Sequence, residues 1–194
     1  MYYGKYKSIR NGAWQCLIDS EISSLPIDIV NIAKYANVRV IKNSAVSILS
    51  GDEKGRAFYD GDNWLIIYDD DLPSPVARMT IAHELGHIFL GHDTIYAKYM
   101  GVREFKKLPA NEKQADDFAI RLLCPACVIW GLELNSAEEI ANYCRVELPI
   151  AKKRYARMRK LYERGKFLSD DMEKTIYANF RNYIKEETGS KDVK

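Results

Sequence analysis

Residues 74–91 read Ser74-Pro75-Val76-Ala77-Arg78-Met79-Thr80-Ile81-Ala82-His83-Glu84-Leu85-Gly86-His87-Ile88-Phe89-Leu90-Gly91. Ser74 and Pro75 supply an N-cap and a proline at the first helical position, and Gly91 is placed to close the segment, so a helix is predicted over 75–90. It is apolar nearly all round, which predicts burial. Inside it, His83-Glu84-Leu85-Gly86-His87 follows the pattern H-E-x-x-H. Positions i and i+4 share a helix face, so His83 and His87 offer two imidazole nitrogens to one ion, while Glu84, rotated by about 100°, flanks them. Two histidines on one buried face without a shared partner would be costly, which favours a metal over a pair of core histidines.

A catalytic zinc takes three protein ligands and leaves the fourth position to water. His92 does not fit as the third. In H-E-x-x-H-x-x-G-x-x-H the glycine and last histidine follow the first by seven and ten residues, whereas Gly91 and His92 follow His83 by eight and nine. Gly91 reads instead as the residue ending the helix, with His92 beyond it in a surface or rim role near the negative end of the dipole. The next helix, predicted from Pro109 to Leu123 and stopped by Pro125, carries Glu112 and Asp116 at i and i+4. Ala115 and Ala119 lie on the same side and would let this helix approach the histidine helix closely. Glu112 is therefore predicted as the third ligand, and Asp116 as the carboxylate that accepts the free ring N–H of a ligating histidine. The bland alternative for Asp116 and Asp117 is a solvated face.

Zn2+ is thus the expected cofactor and peptide-bond hydrolysis the expected reaction, with Glu84 as the base that takes a proton from water and passes it to the leaving amine. A donor to the tetrahedral oxyanion is also required, and thirteen tyrosines plus His92 leave that residue open.

Upstream, Ile29, Ile32, Ala33 and Ala36 recur at helical spacing over 26–36. Val38-Arg39-Val40-Ile41 and Trp64-Leu65-Ile66-Ile67-Tyr68 are β-branched and aromatic runs, and Asp60-Gly61-Asp62-Asn63 is a hairpin-type turn signal, so a small antiparallel sheet is predicted. Trp64–Tyr68, just before the histidine helix, is a strand whose edge could take an extended substrate. Asp69-Asp70-Asp71 reads as a charged turn feeding the positive end of that helix rather than as a calcium site. Downstream, Ser136-Ala137-Glu138-Glu139 is a capping box, Pro149 opens a helix to about Lys166, and Ser169-Asp170-Asp171 opens another towards Glu187, with Gly189 beyond. The fold class that results is α+β, with residues 1–130 as a metallopeptidase domain and 131–194 as a helical appendage packed on it.

Composition fits this reading. The 194 residues are 47% hydrophobic and 29% charged, which excludes disordered, collagenous and coiled-coil chains. No apolar run approaches the ~20 residues of a membrane span, and Met1-Tyr2-Tyr3-Gly4-Lys5 lacks a signal-peptide core, so a cytoplasmic protein without membrane association is expected. Cys16, Cys124, Cys127 and Cys144 are then reduced thiols filling the core; Cys124-Pro125-Ala126-Cys127 has no second C-x-x-C to build a zinc site with, and oxidation sensing is its alternative role.

Met79 to Leu90, followed by Glu112-Lys113-Gln114-Ala115-Asp116-Asp117-Phe118-Ala119-Ile120-Arg121-Leu122-Leu123-Cys124-Pro125, resembles the ImmA/IrrE family of zinc metallopeptidases. Leu25-Pro26-Ile27-Asp28 and Cys144 to Ala151 add to the resemblance, which covers about residues 15–165. It departs from the family's usual pattern in Gln114-Ala115-Asp116 and in Cys124, neither of which touches a proposed ligand. The resemblance implies a zincin-like site of the gluzincin kind with His83, His87 and Glu112 as ligands and Glu84 as base, and a protein substrate, a helix-turn-helix repressor, whose cleavage relieves repression of phage, mobile-element or stress genes. Members often carry a DNA-binding domain ahead of the peptidase; the ~25 residues before Pro26 are too few for one, which suggests the stand-alone form.

Charge offers a second reading. Residues 1–140 carry 15 basic and 19 acidic side chains, 141–194 carry 14 and 8, and Ala151–Lys166 holds eight Lys or Arg against Glu163 alone. Ser136 to Tyr143 and Pro149 to Lys166, joined around Arg145-Val146, could form a helix-turn-helix with Lys152, Lys153, Arg157, Arg159 and Lys160 on phosphates. Ala151, Tyr155, Met158 and Tyr162, however, form an apolar stripe, so packing on the peptidase body with a solvated basic face is favoured over nucleic-acid binding, and that face could dock an acidic partner.

Overall fold

The computed structural model describes residues 3–92, 94–97, 102–105 and 108–189; Met1 and Tyr2, part of the start Met1–Lys5 read above for a signal peptide, lie outside them. Among the described residues the chain is α+β: helices α1 (Tyr3–Asp19) and α2 (Ile29–Tyr35), then β1 (Val38–Lys42), a short α3 (Asn43–Val46), β2 (Gly55–Tyr59), β3 (Trp64–Tyr68), α4 (Ser74–Phe89), β4 (Thr94–Ala97) and β5 (Val102–Phe105). Six helices follow: α5 (Pro109–Leu123), α6 (Ala126–Gly131), α7 (Ala137–Cys144), α8 (Leu148–Glu163), α9 (Asp171–Asn179) and α10 (Arg181–Thr188).

The five strands form one sheet in the order β1-β3-β2-β5-β4. It is mixed, which corrects the antiparallel expectation. β2 and β3 form the hairpin that the Asp60–Asn63 turn predicts, with Ala57 opposite Ile66, but β1 runs parallel to β3, Val40 opposite Ile66. The reason is topological: β1 leads through α3 to the outer arm of the hairpin, so the returning arm β3 slots between β1 and β2 with the direction of β1. Alternation then turns Ile66 and Ala57 to the core, where Val38 joins them. Being paired on both sides, β3 has no open edge for a substrate, which overturns that expectation. β2 meets β5 only at Phe58 and Tyr59, so among the described residues the stretch Gly55–Ala57 is unpaired on that side.

α4 packs between this sheet and α5. At Gly55 the strand passes so near α4 that a Cβ would collide with the Thr80 methyl, and at Gly86 a Cβ would lie 3.1 Å from the Cα and carbonyl oxygen of Ala115. Ala115 and Ala119 are fully buried, so the two helices meet through small residues, as their spacing predicts. α1 covers α5 from behind: Ile9, Ala13 and Leu17, at i, i+4 and i+8, are buried in the core.

The remaining helices follow their caps. α2 starts at Ile29, three residues later than expected, because the Asp28 side chain accepts the Asn31 N–H at 2.9 Å. Ser136 caps α7, its Oγ accepting the Glu139 N–H at 3.1 Å. Ala151, Arg154 and Met158 are the buried face of α8. The last predicted helix is divided at Phe180, a fully buried ring, into α9 and α10. Asp70 accepts from the Ser44 backbone N–H and hydroxyl, which hold its carboxyl below the usual range, so it anchors α3. No helix among the described residues is long and apolar enough to cross a membrane.

Candidate metal centre

Three elements bring the polar residues of the site together. α4 carries His83 and His87 on one face, and their Nε2 atoms lie 3.1 Å apart. α5, held against α4 by the Gly86–Ala115 contact, brings the Glu112 carboxylate to both: Oε2 is 3.3 Å from His83 Nε2 and Oε1 is 3.5 Å from His87 Nε2. These three donors form a group able to bind a metal ion.

The backs of the two imidazoles are engaged differently. His83 Nδ1 is 2.9 Å from Asp116 Oδ1. Burial pulls the His83 pKa down, but the Asp116 hydrogen bond and the nearby charges of Glu84, Asp116 and Glu112 outweigh it and leave His83 above its ordinary value. The same hydrogen bond, opposed by partial burial and aided by His83, Lys153 and Lys113, holds the Asp116 carboxyl below the carboxylate range. His87, 3% exposed, has its Nδ1 2.9 Å from His92 Nδ1, the two rings meeting edge to face. His92 thus stays out of the ligand set; of the surface or rim role expected for it the half-buried ring takes the rim, in contact with His87. Gly91, at φ 63°, reverses the chain so that the His92 N–H reaches the His87 carbonyl and the Gly91 N–H the Ile88 carbonyl, both at 3.1 Å. That is a Schellman ending of α4, and it folds the His92 ring back onto His87.

Glu84 sits beside this group, and its Oε2 accepts the Ala57 N–H at 3.0 Å. That amide belongs to the stretch of β2 that among the described residues has a strand partner on the β3 side alone, so the sheet fixes the carboxylate on the cleft side of α4. No residue-type signal in the sequence could have revealed a backbone donor.

The group opens into a cleft of 710 Å3 between β2 with its preceding loop, α4, α5 and the start of α8. Val76, Met79, Ile120 and Ile150 supply apolar wall, and Lys153 of α8 reaches in at the rim. Sequence reasoning does not single out Ile150 and Lys153 for the site, because their helix shows only an apolar packing stripe and a basic face and nothing in either says that its first turn reaches the cleft.

Residues 33–155 match the family model of the IrrE N-terminal-like domain, which describes the M78 peptidases. The chain belongs to the M78 peptidase family. No curated protein matches it. An M78 peptidase is a hydrolase acting on protein substrates, and the His83–His87–Glu112 group fits the metallopeptidase activity the family suggests. The matched region runs from α2 into α8 and takes in every residue of the metal group and both α8 residues of the M78 cleft wall.

The four cysteines stand apart from this centre. All are buried, and none is in a disulfide. Cys124 shares a hydrogen bond with Cys144, which holds it below the usual thiol value, while burial pushes the Cys127 thiol up to about 12. The partner of Cys124 is therefore Cys144 rather than the other cysteine of the C-x-x-C.

Proposed function

We propose that the protein is a zinc-dependent, zincin-like endopeptidase in which His83, His87 and Glu112 hold the ion and Glu84 is the general base. The observation that carries this is the spacing of the three donors. Ligands about 2.05 Å from a tetrahedral zinc are about 3.3 Å from one another, and the donor separations here are 3.1, 3.3 and 3.5 Å. Two imidazoles and a carboxylate are the donor set of a hydrolytic zinc site with a position left open. Zinc bound there would lower the pKa of its water to about 7 and polarise the scissile carbonyl.

The protein's own groups do the rest. Glu84, held by the Ala57 amide, takes the proton of the attacking water and delivers it to the leaving nitrogen. Asp116 accepts the Nδ1–H of His83, and His92 accepts that of His87, so each ring presents Nε2 to the ion. The Gly55–Ala57 edge of β2, which among the described residues has no strand partner on the side away from β3, takes the substrate as an added strand beside Glu84.

The substrate we propose is a helix-turn-helix transcriptional repressor, whose cleavage would relieve repression of phage, mobile-element or stress genes in the cytoplasm. The support is the family resemblance together with an open cleft suited to a polypeptide. The test compares new protein N-termini in the native host expressing wild type or Glu84→Gln. A repressor fragment seen only with wild type supports the reading. Identical sets under growth and stress oppose it and favour α7 and α8 as a binding module beside a structural metal site.

A further inference from the structure

The basic residues of α8 are not spread evenly round the helix. Lys153, Arg157, Lys160 and Arg164 stand at i, i+4, i+7 and i+11, which at 100° per residue confines them to a stripe about 60° wide. No acidic residue interrupts it. The stripe flanks the packed face of Ala151, Arg154 and Met158, and Lys153, Lys160 and Arg164 are exposed while Arg157 is half-buried. A second basic row, Lys152 and Arg159, is exposed on another side, turned about 100–120° from the stripe.

Only the first row connects to the metal centre. Lys153 lines the cleft and its charge acts on Asp116. From there Lys160 and Arg164 lie about 10 and 16 Å further along the helix axis. Neighbouring charges on the stripe are therefore separated by about 4.5–6 Å along the axis, and an extended chain at about 3.3 Å per residue covers 16 Å with about five residues.

We propose that this stripe is a docking track for an acidic segment of the protein substrate, which runs along Arg164, Lys160 and Lys153 and leads the adjoining scissile bond into the cleft. The proposal rests on the peptidase reading for its occupant. Two features favour a polypeptide over nucleic acid. The track is a single row one chain wide, and it ends at the catalytic cleft. A duplex held by its phosphates would draw on both basic rows alike.

The two rows make a matched test. The probes are a fluorescein-labelled twelve-residue peptide with five consecutive Asp or Glu, its Asn/Gln twin, and a 20-base-pair duplex, each titrated by anisotropy against the zinc-loaded full chain carrying Glu84→Gln. The acidic peptide is expected to bind about tenfold more tightly than its twin, with a preference that shrinks as salt rises. Adding K160E/R164E should abolish the preference, and adding K152E/R159E, an equal change of net charge, should leave it within about twofold. K160Q/R164Q, which removes charge without reversing it, should fall between. All four positions are exposed and outside the cleft, and an unchanged melting temperature checks that each variant folds.

Equal binding of the two peptides, or equal losses from the two double variants, overturns the proposal. Duplex binding tighter than the peptide's, weakened by both pairs, assigns the surface to nucleic acid and overturns it as well. The two readings fail separately. Stripe-dependent peptide binding with no new N-termini in the host keeps the stripe as a site for acidic segments but removes the peptidase, and with it the substrate as occupant. New N-termini without acidic residues within about five positions of the cut, and without the peptide preference, remove the track alone.

Discussion

His92 meets His87 twice: its N–H donates to the His87 carbonyl at 3.1 Å, and its Nδ1 lies 2.9 Å from His87 Nδ1. One chain reversal at Gly91 makes both contacts, so the ending of α4 also orients one of its metal-site histidines. A ring nitrogen facing another must have one donor and one acceptor. With His87 presenting Nε2 to an ion, His87 Nδ1 is the donor and His92 is the neutral acceptor.

His92→Phe keeps an aromatic ring but removes the acceptor. It should weaken zinc binding about 10- to 100-fold, read by competition with a chromophoric chelator. The metal-free melting temperature should stay within a few degrees of wild type. His92→Asn, whose amide oxygen can accept, should recover part of the affinity. Wild-type affinity in His92→Phe would show that the contact does not orient His87.

The His83–Asp116 pair predicts a pH window. His83 has a folded pKa above its unfolded value near 6.5, so its stabilising contribution is complete below that value and is lost as pH rises through the folded pKa. Asp116 has a folded pKa below its unfolded value near 3.9, so its contribution is present above that value and is lost as pH falls through the folded pKa. In the metal-free protein the pair should contribute most between about pH 4 and 6.5. Urea midpoints should show that maximum, and Asp116→Asn should flatten it. Zinc reverses the high-pH side. It requires neutral His83, so its affinity should rise about tenfold per pH unit until the raised pKa is passed, one proton being displaced.

Glu112→Ala should lower zinc affinity more than Asp116→Asn does, because it removes a donor rather than the partner of one. Metal content after dialysis against a mild chelator ranks them. The expected order is wild type, Asp116→Asn, then Glu112→Ala close to zinc-free. Near-unchanged content in Glu112→Ala would move the third ligand elsewhere.

Local chemistry explains which parts of the molecule were legible in the sequence. The ends of α4 and α5 were, to within a residue, because Pro75, Gly91, Pro109 and Pro125 act through the backbone within one turn; the expected cap at Ser74 is corrected, since Pro73 takes the cap position with no side-chain hydrogen bond and Ser74 is the first helical residue. So was the approach of Glu112 to the histidines, because the small residues Ala115 and Ala119 share its helix face. The parallel pairing of β1 with β3 was not, since strand direction depends on a connection through α3 rather than on residue type. α1 was not, although Ile9, Ala13 and Leu17 repeat at helical spacing, because no cap residue or proline marks its start. The role of His92 required knowing that a closed helix end turns its ring inward, and the Glu84–Ala57 bond required the fold.

Gly86, between the motif's glutamate and second histidine, offers a test of how tightly the two helices set the centre. In Gly86→Ala the new methyl would lie 3.1 Å from the Ala115 Cα and oxygen and 3.2 Å from the Phe118 ring. Backbone cannot yield as a side-chain tip can, so α5 must move away. Overpacking of this kind costs about 1–3 kcal/mol, against about 1 kcal/mol that alanine returns in helix propensity. The net should be a loss of up to about 2 kcal/mol, or a melting temperature lower by up to about 8 °C. Displacing α5 also carries Glu112 away from His83 and His87, so zinc affinity should fall by at least as much as in Asp116→Asn. A Gly86→Ala protein with wild-type zinc affinity would mean that α5 is not held in register by this contact, and that Glu112 finds the histidines by side-chain reach alone.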